Sequence, residues 1–385
     1  MSNTSQNTLV PGLEDVVAAE TSLSSVDGKA GELIITGFPV EELASRASFE
    51  ESVFLLWCNA LPDAEQLTTF KEALSVRRPL PRATLDLLRA AASERALTMD
   101  ALRMAAGTTS LGTPDGATSE DGFYGDALAL VARFPTIVAT YWRLLKQKEP
   151  FTPDPELGHA ANYLYMLTGA QPSAGYTRAL ETYLNTVVDH GLNASTFVAR
   201  AIVSTRSDAV SAVVGATGSL KGPLHGGAPG PALDMVFEIG EANRAEPYLR
   251  QKVEQGERLM GFGHRVYKVR DPRADVLAAA SKRLYASGGD EVLYELALEV
   301  EKTTLRLLAE YKPGRNLKTN VEFYTALLLH GLQLPTDLFT PTFAVGRVAG
   351  WTAHCFEQRA QDRLIRPQSR YVGSKDRSWI PLEKR

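Results

Sequence analysis

Three features of the sequence predict an almost all-helical fold. Helix-capping and helix-stopping residues recur along its length, apolar residues between them repeat at helical spacing, and only Glu32 to Phe38 reads as a strand.

Ser48 with Glu51 three residues later forms a capping-box pattern before the apolar run Val53 to Trp57, and Pro62 stops that helix. Asp63 caps the next, in which Leu67, Phe70 and Leu74 share a face before Pro79 and Pro81. Further helices are expected at about 82 to 94, 99 to 107, 122 to 146, 156 to 168 and 173 to 188, the last with Tyr176, Leu180, Tyr183 and Val187 on one side. Downstream, Asp208 to Leu220, Ala232 to Glu238, Pro247 to Met260, Arg273 to Ala286, Glu291 to Tyr311, Val321 to His330 and Thr340 to Ala360 follow the same logic. No fixed-period repeat appears, which disfavours a solenoid. The glycine-bearing segments 214 to 230 and 261 to 263 separate helices, making them candidate site loops or hinges.

The chain has 385 residues, 44% hydrophobic and 22% charged, enough for a large dry core and a dry site within it. Lys and Arg number 41 against 45 Asp and Glu, a net charge of −4, which argues against a nucleic-acid binder. Two cysteines, Cys58 and Cys355, make no disulfide framework and have no metal-ligand spacing; two buried thiols and a reducing, cytoplasmic setting are expected. The start MSNTSQNTLVPG has neither a secretory nor a transit pattern. The most apolar long stretch, Tyr124 to Leu145, is interrupted by Arg133 and Pro135, so no membrane span is expected.

GATGSLKGPLHGG matches neither the phosphate-loop nor the dinucleotide spacing, and no GxSxG, HExxH or paired CxxC pattern occurs. Histidine is the remaining signal. Of six, three lie in distinctive segments: His190 in VVDHGLNAST, His225 in LKGPLHGGA and His264 in MGFGHRVYKVRDPR. One such histidine alone is more often a structural hydrogen-bonding residue. Arginines shift that balance, because guanidinium suits carboxylate recognition: Arg265, Arg270 and Arg273 accompany His264, and Arg347 and Arg366 come later. Arg270 reads as a solvated charge. Arg347, inside FAVGRVAGW, needs either an internal acid or a bound carboxylate. Glu322, in TNVEFYTALL, is the acidic candidate, although a carboxylate at a helix start commonly just favours the helix dipole.

Together these segments resemble the citrate synthase family over nearly the whole chain and in the same order. The resemblance begins at ETSLSSVDGKAGELIITGFPVEELA and continues through HGLNASTF, LKGPLHGGA, GFGHRVYKVRDPR and TNVEFYTALL. It ends in FTPTFAVGRVAGWTAHCFEQ and LIRP. It implies a mainly all-α, citrate synthase-like fold: a large helical domain from residues 1–226 and 331–385, a smaller mobile helical domain from 227–330, and a homodimer with shared sites. It also implies a reaction, acetyl-CoA with oxaloacetate and water giving citrate and CoA, without a cofactor or metal. His225 would bond the thioester oxygen, His264 would polarise the keto oxygen, and Glu322 would take the methyl proton. His190, Arg273 and Arg347 would hold oxaloacetate with Arg366 from the partner subunit, and Met260, Gly261, Phe262 and Gly263 would lie against CoA. The length is expected to suit the simple dimeric type of the family rather than the hexameric one.

Three departures from the family pattern stand out. NVEF has glutamate where family members commonly have aspartate, a side chain longer by one bond of about 1.5 Å. GGAPGPALDM carries Pro229 and Pro231 where Asn and Glu are common, and ALTMDALR lacks the usual His and Pro before Met99. Two other functions follow from the same residues. A 2-methylcitrate synthase would use propionyl-CoA, since one methylene in an apolar pocket discriminates by only about 1–3 kcal/mol. A binding or regulatory homologue would have lost its chemistry at Glu322.

Overall fold

The computed structural model describes residues 9–111, 120–226, 229–264, 266–267 and 269–385. Arg265, the second half of GGA at 227–228 and the side chain of Pro229 therefore lie outside the described residues.

Among the described residues there are sixteen α-helices and one small sheet. Strands β1 (Ser24–Asp27), β2 (Glu32–Ile35) and β3 (Phe38–Pro39) pair antiparallel in that order, with Ser24 opposite Ile35 and Ile35 opposite Phe38. The single expected strand 32 to 38 is thus two. Thr36 and Gly37, at φ 44° and 86°, make a tight reversal whose left-handed backbone suits a two-residue hairpin.

Helices α1 (Val40–Arg46), α2 (Phe49–Cys58), α3 (Ala64–Ser75), α4 (Arg82–Ser93), α5 (Thr98–Gly107) and α6 (Glu120–Leu145) follow. Ser48 and Asp63 cap α2 and α3 as the sequence predicts, Ser48 in the expected capping box with Glu51 and Asp63 in a second one with Gln66. Then come α7 (His159–Thr168), α8 (Ala174–Thr186), α9 (Ala194–Val203) and α10 (Ala209–Leu220). The remainder are α11 (Pro229–Ile239), α12 (Ala242–Glu254), α13 (Pro272–Ala286), α14 (Glu291–Tyr311), α15 (Val321–Gly331) and α16 (Phe339–Gln361).

Several expectations are corrected. Helices α1 and α9 were not foreseen, and α12 begins before Pro247 and stops well short of Met260, where Gly256 takes φ 75°. The first part of the glycine-bearing segment 214 to 230 belongs to α10: a Cβ on Gly215 would meet Ile202 of α9 at 2.3 Å, so this glycine serves helix packing. Cys58 is exposed at the end of α2, whereas Cys355 is buried. The segment Asp121–Leu145 is long and apolar enough to cross a membrane, contrary to the reading of its sequence, but 72% of its apolar window is buried as a core helix of this fold. Pro135 stays inside α6.

Helix α16 packs on α6, α8 and α9, and α10 packs on α9 and α5. A second group forms where α13 packs on α15, α12 on α14 and α11 on α15; α13 also meets α1 and α8 and so joins the groups. The histidine-bearing loops lie along this junction.

Candidate active site

The close approach of α16 to the end of α8 creates the first part of the site. A Cβ on Gly346 would lie 3.0 Å from the Leu184 carbonyl oxygen, and one on Gly350 only 2.3 Å from that of Val188. Between these glycines Arg347, 2% exposed, donates from Nε to the Val187 carbonyl at 2.6 Å and lies 4.7 Å from the Phe343 ring centre. Among the described residues no ion pair to Arg347 is present. Burial pushes its guanidinium down to about 10, with Asp189 opposing, so it stays cationic at neutral pH.

Asp189 and His190 follow α8 directly. Asp189 accepts from Ser24 Oγ at 2.5 Å and faces His354 Nε2 at 3.2 Å. Arg200 Nη1 can only donate to His354 Nδ1, at 3.0 Å, which leaves Nε2 to carry a ring proton toward Asp189. Burial opposes ionisation of Asp189, but His354, Arg347 and Ser24 together hold its carboxyl below the usual value. His190 Nε2 is 3.1 Å from the Tyr267 hydroxyl. Burial first, then Arg273, Arg347 and His264, holds His190 well below its usual value and therefore neutral.

His225 lies beyond α10 with Nε2 at 2.8 Å from Ser195 Oγ. That oxygen also accepts from Trp351 Nε1 at 3.0 Å and donates its hydrogen to Asn193 Oδ1 at 2.8 Å. Asn193 Oδ1 already accepts the N–H groups of Ser195 and Thr196 as the cap of α9. In this arrangement Ser195 Oγ accepts from His225 Nε2–H, and turning the hydroxyl from Asn193 to His225 Nε2 moves the single imidazole proton to Nδ1, the nitrogen away from this network. Burial, then Arg347, pushes His225 down to about 4, so the ring is neutral at pH 7.

His264 has the opposite tautomer. Its Nδ1 accepts the N–H groups of Val266 at 3.0 Å and Tyr267 at 3.1 Å, which leaves the ring proton on Nε2. That nitrogen is 3.3 Å from Arg273 Nη2, also a donor. Two donors converging in this way define a place for an oxygen acceptor. Arg273, 5% exposed, is held by Asp271 through Nε at 3.0 Å and Nη2 at 2.9 Å. Burial opposes its charge, and Asp271 outweighs that.

Glu322 sits in the first turn of α15, capped by Asn320 Oδ1. Burial pushes its carboxyl above the usual value, while Arg273 pulls the other way. The helix start is tied to the segment Met260 to Gly263. Gly263 N–H donates to Lys318 O at 2.7 Å, Asn320 N–H to Gly261 O at 3.0 Å, and Asn320 Nδ2 to Gly263 O at 2.8 Å. Phe262 bridges Thr319 and packs on Phe323, while Gly261 and Gly263 take φ 86° and 81°. His264 and Glu322 are thereby mounted on one frame.

The sequence-predicted residues His190, His264, Arg273, Arg347, His225 and Glu322 border this junction. Arg366 does not join them in the single chain: it is exposed, in an extended stretch beyond α16. Arg270 is exposed and pairs with Asp275. Sequence reading missed Asp271, Ser195, Asn193, Tyr267 and Asn320. Asp271 before Pro272, and Asn193 and Asn320 before apolar helices, carried a helix-cap signal that could have marked them. Tyr267 carried none.

The family profile described as "Citrate synthase, C-terminal domain" matches residues 12–368. The chain belongs to the citrate synthase family. It is 40% identical over 380 residues to a citrate synthase of Haloferax volcanii, covering 97% of this chain and 98% of that one. It is 37% identical over 377 residues to a 2-methylcitrate synthase of Shewanella oneidensis, covering 97% of each. The solved citrate synthase of Pyrobaculum aerophilum superposes with a TM-score of 0.89 at 36% identity, covering 97% of this chain and 95% of that one. The mainly helical citrate synthase fold and membership of an acyltransferase family are therefore established for this chain.

Proposed function

We propose that this member of the citrate synthase family condenses acetyl-CoA with oxaloacetate and water to give citrate and CoA. The observation that carries the reading is the convergence of His264 Nε2–H and Arg273 Nη2 beside a buried Arg347 that has no internal ion pair among the described residues. A keto acid bearing carboxylates supplies both an oxygen for the two donors and negative charge for the arginines. A solved Thermoplasma acidophilum citrate synthase, 29% identical with a TM-score of 0.88, is a ternary complex with carboxymethyl coenzyme A and oxaloacetate.

In the proposed mechanism Glu322 removes a methyl proton from the thioester while neutral His225, with the Ser195 hydroxyl turned to its Nε2, donates from Nδ1 to the enol oxygen. The enol carbon attacks the keto carbon, and the new alkoxide takes its proton from the His264–Arg273 pair. Water then cleaves the citryl thioester, releasing CoA. A buried carboxylate pushed above its usual value is a stronger base than an exposed one. The substrates suffice, with no further cofactor.

The division into a large domain, 1–226 with 331–385, and a small mobile one, 227–330, agrees with the two helix groups joined through α13. A homodimer in which the partner's copy of Arg366 reaches the site fits that residue's exposure in an extended tail. Residues 260–263 lie against CoA in this reading, and the protein works in the cytoplasm. CoA thiol release tests the function, with acetyl-CoA or propionyl-CoA, each with and without oxaloacetate. Release only with oxaloacetate, faster with acetyl-CoA, supports it. Faster release with propionyl-CoA makes the enzyme a 2-methylcitrate synthase, and no release in any mixture refutes condensation.

A further inference from the structure

The β1–β2 hairpin touches both histidine loops, and no step of the reaction above uses it. At the base of the hairpin, Ser24 Oγ bonds Asp189 Oδ2 at 2.5 Å and accepts the Gly191 N–H at 2.8 Å, so the hairpin holds the segment that carries His190. At its tip, a Cβ on Gly28 would lie 2.2 Å from the carbonyl oxygen of Val266 and 2.8 Å from its carbonyl carbon. A Cβ on Gly31 would lie 2.7 Å from Val269 Cγ2 and 2.9 Å from the Arg270 carbonyl oxygen. The tip is therefore seated on the chain that follows His264.

The turn is built to hold its shape. Asp27 Oδ1 accepts the N–H groups of Lys29 at 2.8 Å and Ala30 at 2.9 Å, and Gly31 N–H closes onto the Asp27 carbonyl at 2.8 Å. Gly31 has φ 74°, so its backbone alone favours glycine. Gly28 does not take a left-handed φ; the approach of Val266 is what leaves no room for a side chain. Val266 and Tyr267 supply the two N–H groups that fix the tautomer of His264. Displacing this stretch would loosen that tautomer and the spacing of His264 from His190, whose ring centres are 6.3 Å apart.

We propose that the β1–β2 hairpin is a positioning clasp for the keto-acid site: seating Gly28 on Val266 and Gly31 on Val269 and Arg270, with Ser24 bonded to Asp189, sets His264 against His190. Its kinetic readout rests on the condensation reading. The test is oxaloacetate-dependent CoA release by the full chain carrying Gly28→Ala, with Lys29→Ala as the control at a neighbouring exposed position and Ser24→Ala probing the base of the hairpin. Gly28→Ala is expected to raise KM for oxaloacetate more than KM for acetyl-CoA and to lower kcat/KM for oxaloacetate on the order of a hundredfold, the scale of a misplacement near 1 Å. Its melting temperature without substrate should match that of the wild type, and Lys29→Ala should behave as wild type. Ser24→Ala should move KM for oxaloacetate in the same direction, which keeps the idea testable if Gly28→Ala does not fold. Wild-type kinetics for Gly28→Ala overturn the clasp, as does a loss spread evenly over both substrates with a lowered melting temperature. If the wild type itself releases no CoA, the condensation reading fails separately. Calorimetric titration of oxaloacetate then decides the clasp: weaker binding by Gly28→Ala supports it and equal binding overturns it.

Discussion

Asp271 grips Arg273 through both carboxylate oxygens, and the oxygen that meets Nη2 also accepts the Val321 N–H at 3.3 Å. The donor proposed for the keto acid and the helix bearing the proposed base therefore share one anchor. Replacing Asp271 with Asn leaves a buried guanidinium without its counter-charge, a change that typically costs about 3–5 kcal/mol. Chemical denaturation of Asp271→Asn is expected to show a loss of that size, and steady-state kinetics a raised KM for oxaloacetate.

Ser195 is expected to act through His225. In Ser195→Ala the imidazole loses the hydroxyl whose turn to Nε2 places the proton on Nδ1, and Trp351 Nε1 loses its acceptor. Turnover should fall roughly 10- to 100-fold, below the usual scale of a full general acid's contribution. Oxaloacetate binding, followed by calorimetry, should stay near wild type.

Activity should decline on acidification. Glu322 must be ionised, and its carboxyl is pushed above 4.5, whereas His225 at about 4 is already neutral there. The acid limb of kcat against pH is thus expected to lie above the ordinary glutamate value and to be absent from the residual rate of Glu322→Gln.

Stability runs the other way for the two groups. A carboxyl raised by folding, as for Glu322, favours the folded state below its unfolded pKa, and that contribution is lost as pH rises through the folded pKa. Glu322→Gln is accordingly expected to melt higher than wild type at pH 8, with the gain shrinking towards pH 4. His225, lowered from 6.5 to about 4, contributes fully above 6.5 and loses that contribution as pH falls through about 4. His225→Gln should therefore narrow the loss of stability between pH 6.5 and 4, read from melting curves over that range.

Helix positions were largely legible because capping and periodicity are local: Ser48, Asp63 and the apolar faces act within one or two turns. The three histidines were legible because glycine-bearing loops set them apart. The partners were not. Asp271 grips Arg273 only because Pro272 starts a helix between them, and Ser195 meets His225 across 30 residues of chain. Gly346 and Gly350 read as ordinary small residues until α16 is laid on Leu184 to Asp189. Tyr267, 3% exposed between His190 and His264, looks in the sequence like any other aromatic. Such relationships depend on tertiary approach, which local pattern does not encode.

Glu322 is the residue on which the proposed chemistry most depends, since it stands where the family commonly has the shorter aspartate. Oxaloacetate-dependent CoA release by wild type and Glu322→Gln, with oxaloacetate binding measured on both, tests this most directly. The account predicts rapid release by the wild type only when oxaloacetate is present, loss of most turnover in Glu322→Gln, and unchanged oxaloacetate affinity. Undiminished turnover in Glu322→Gln would contradict it.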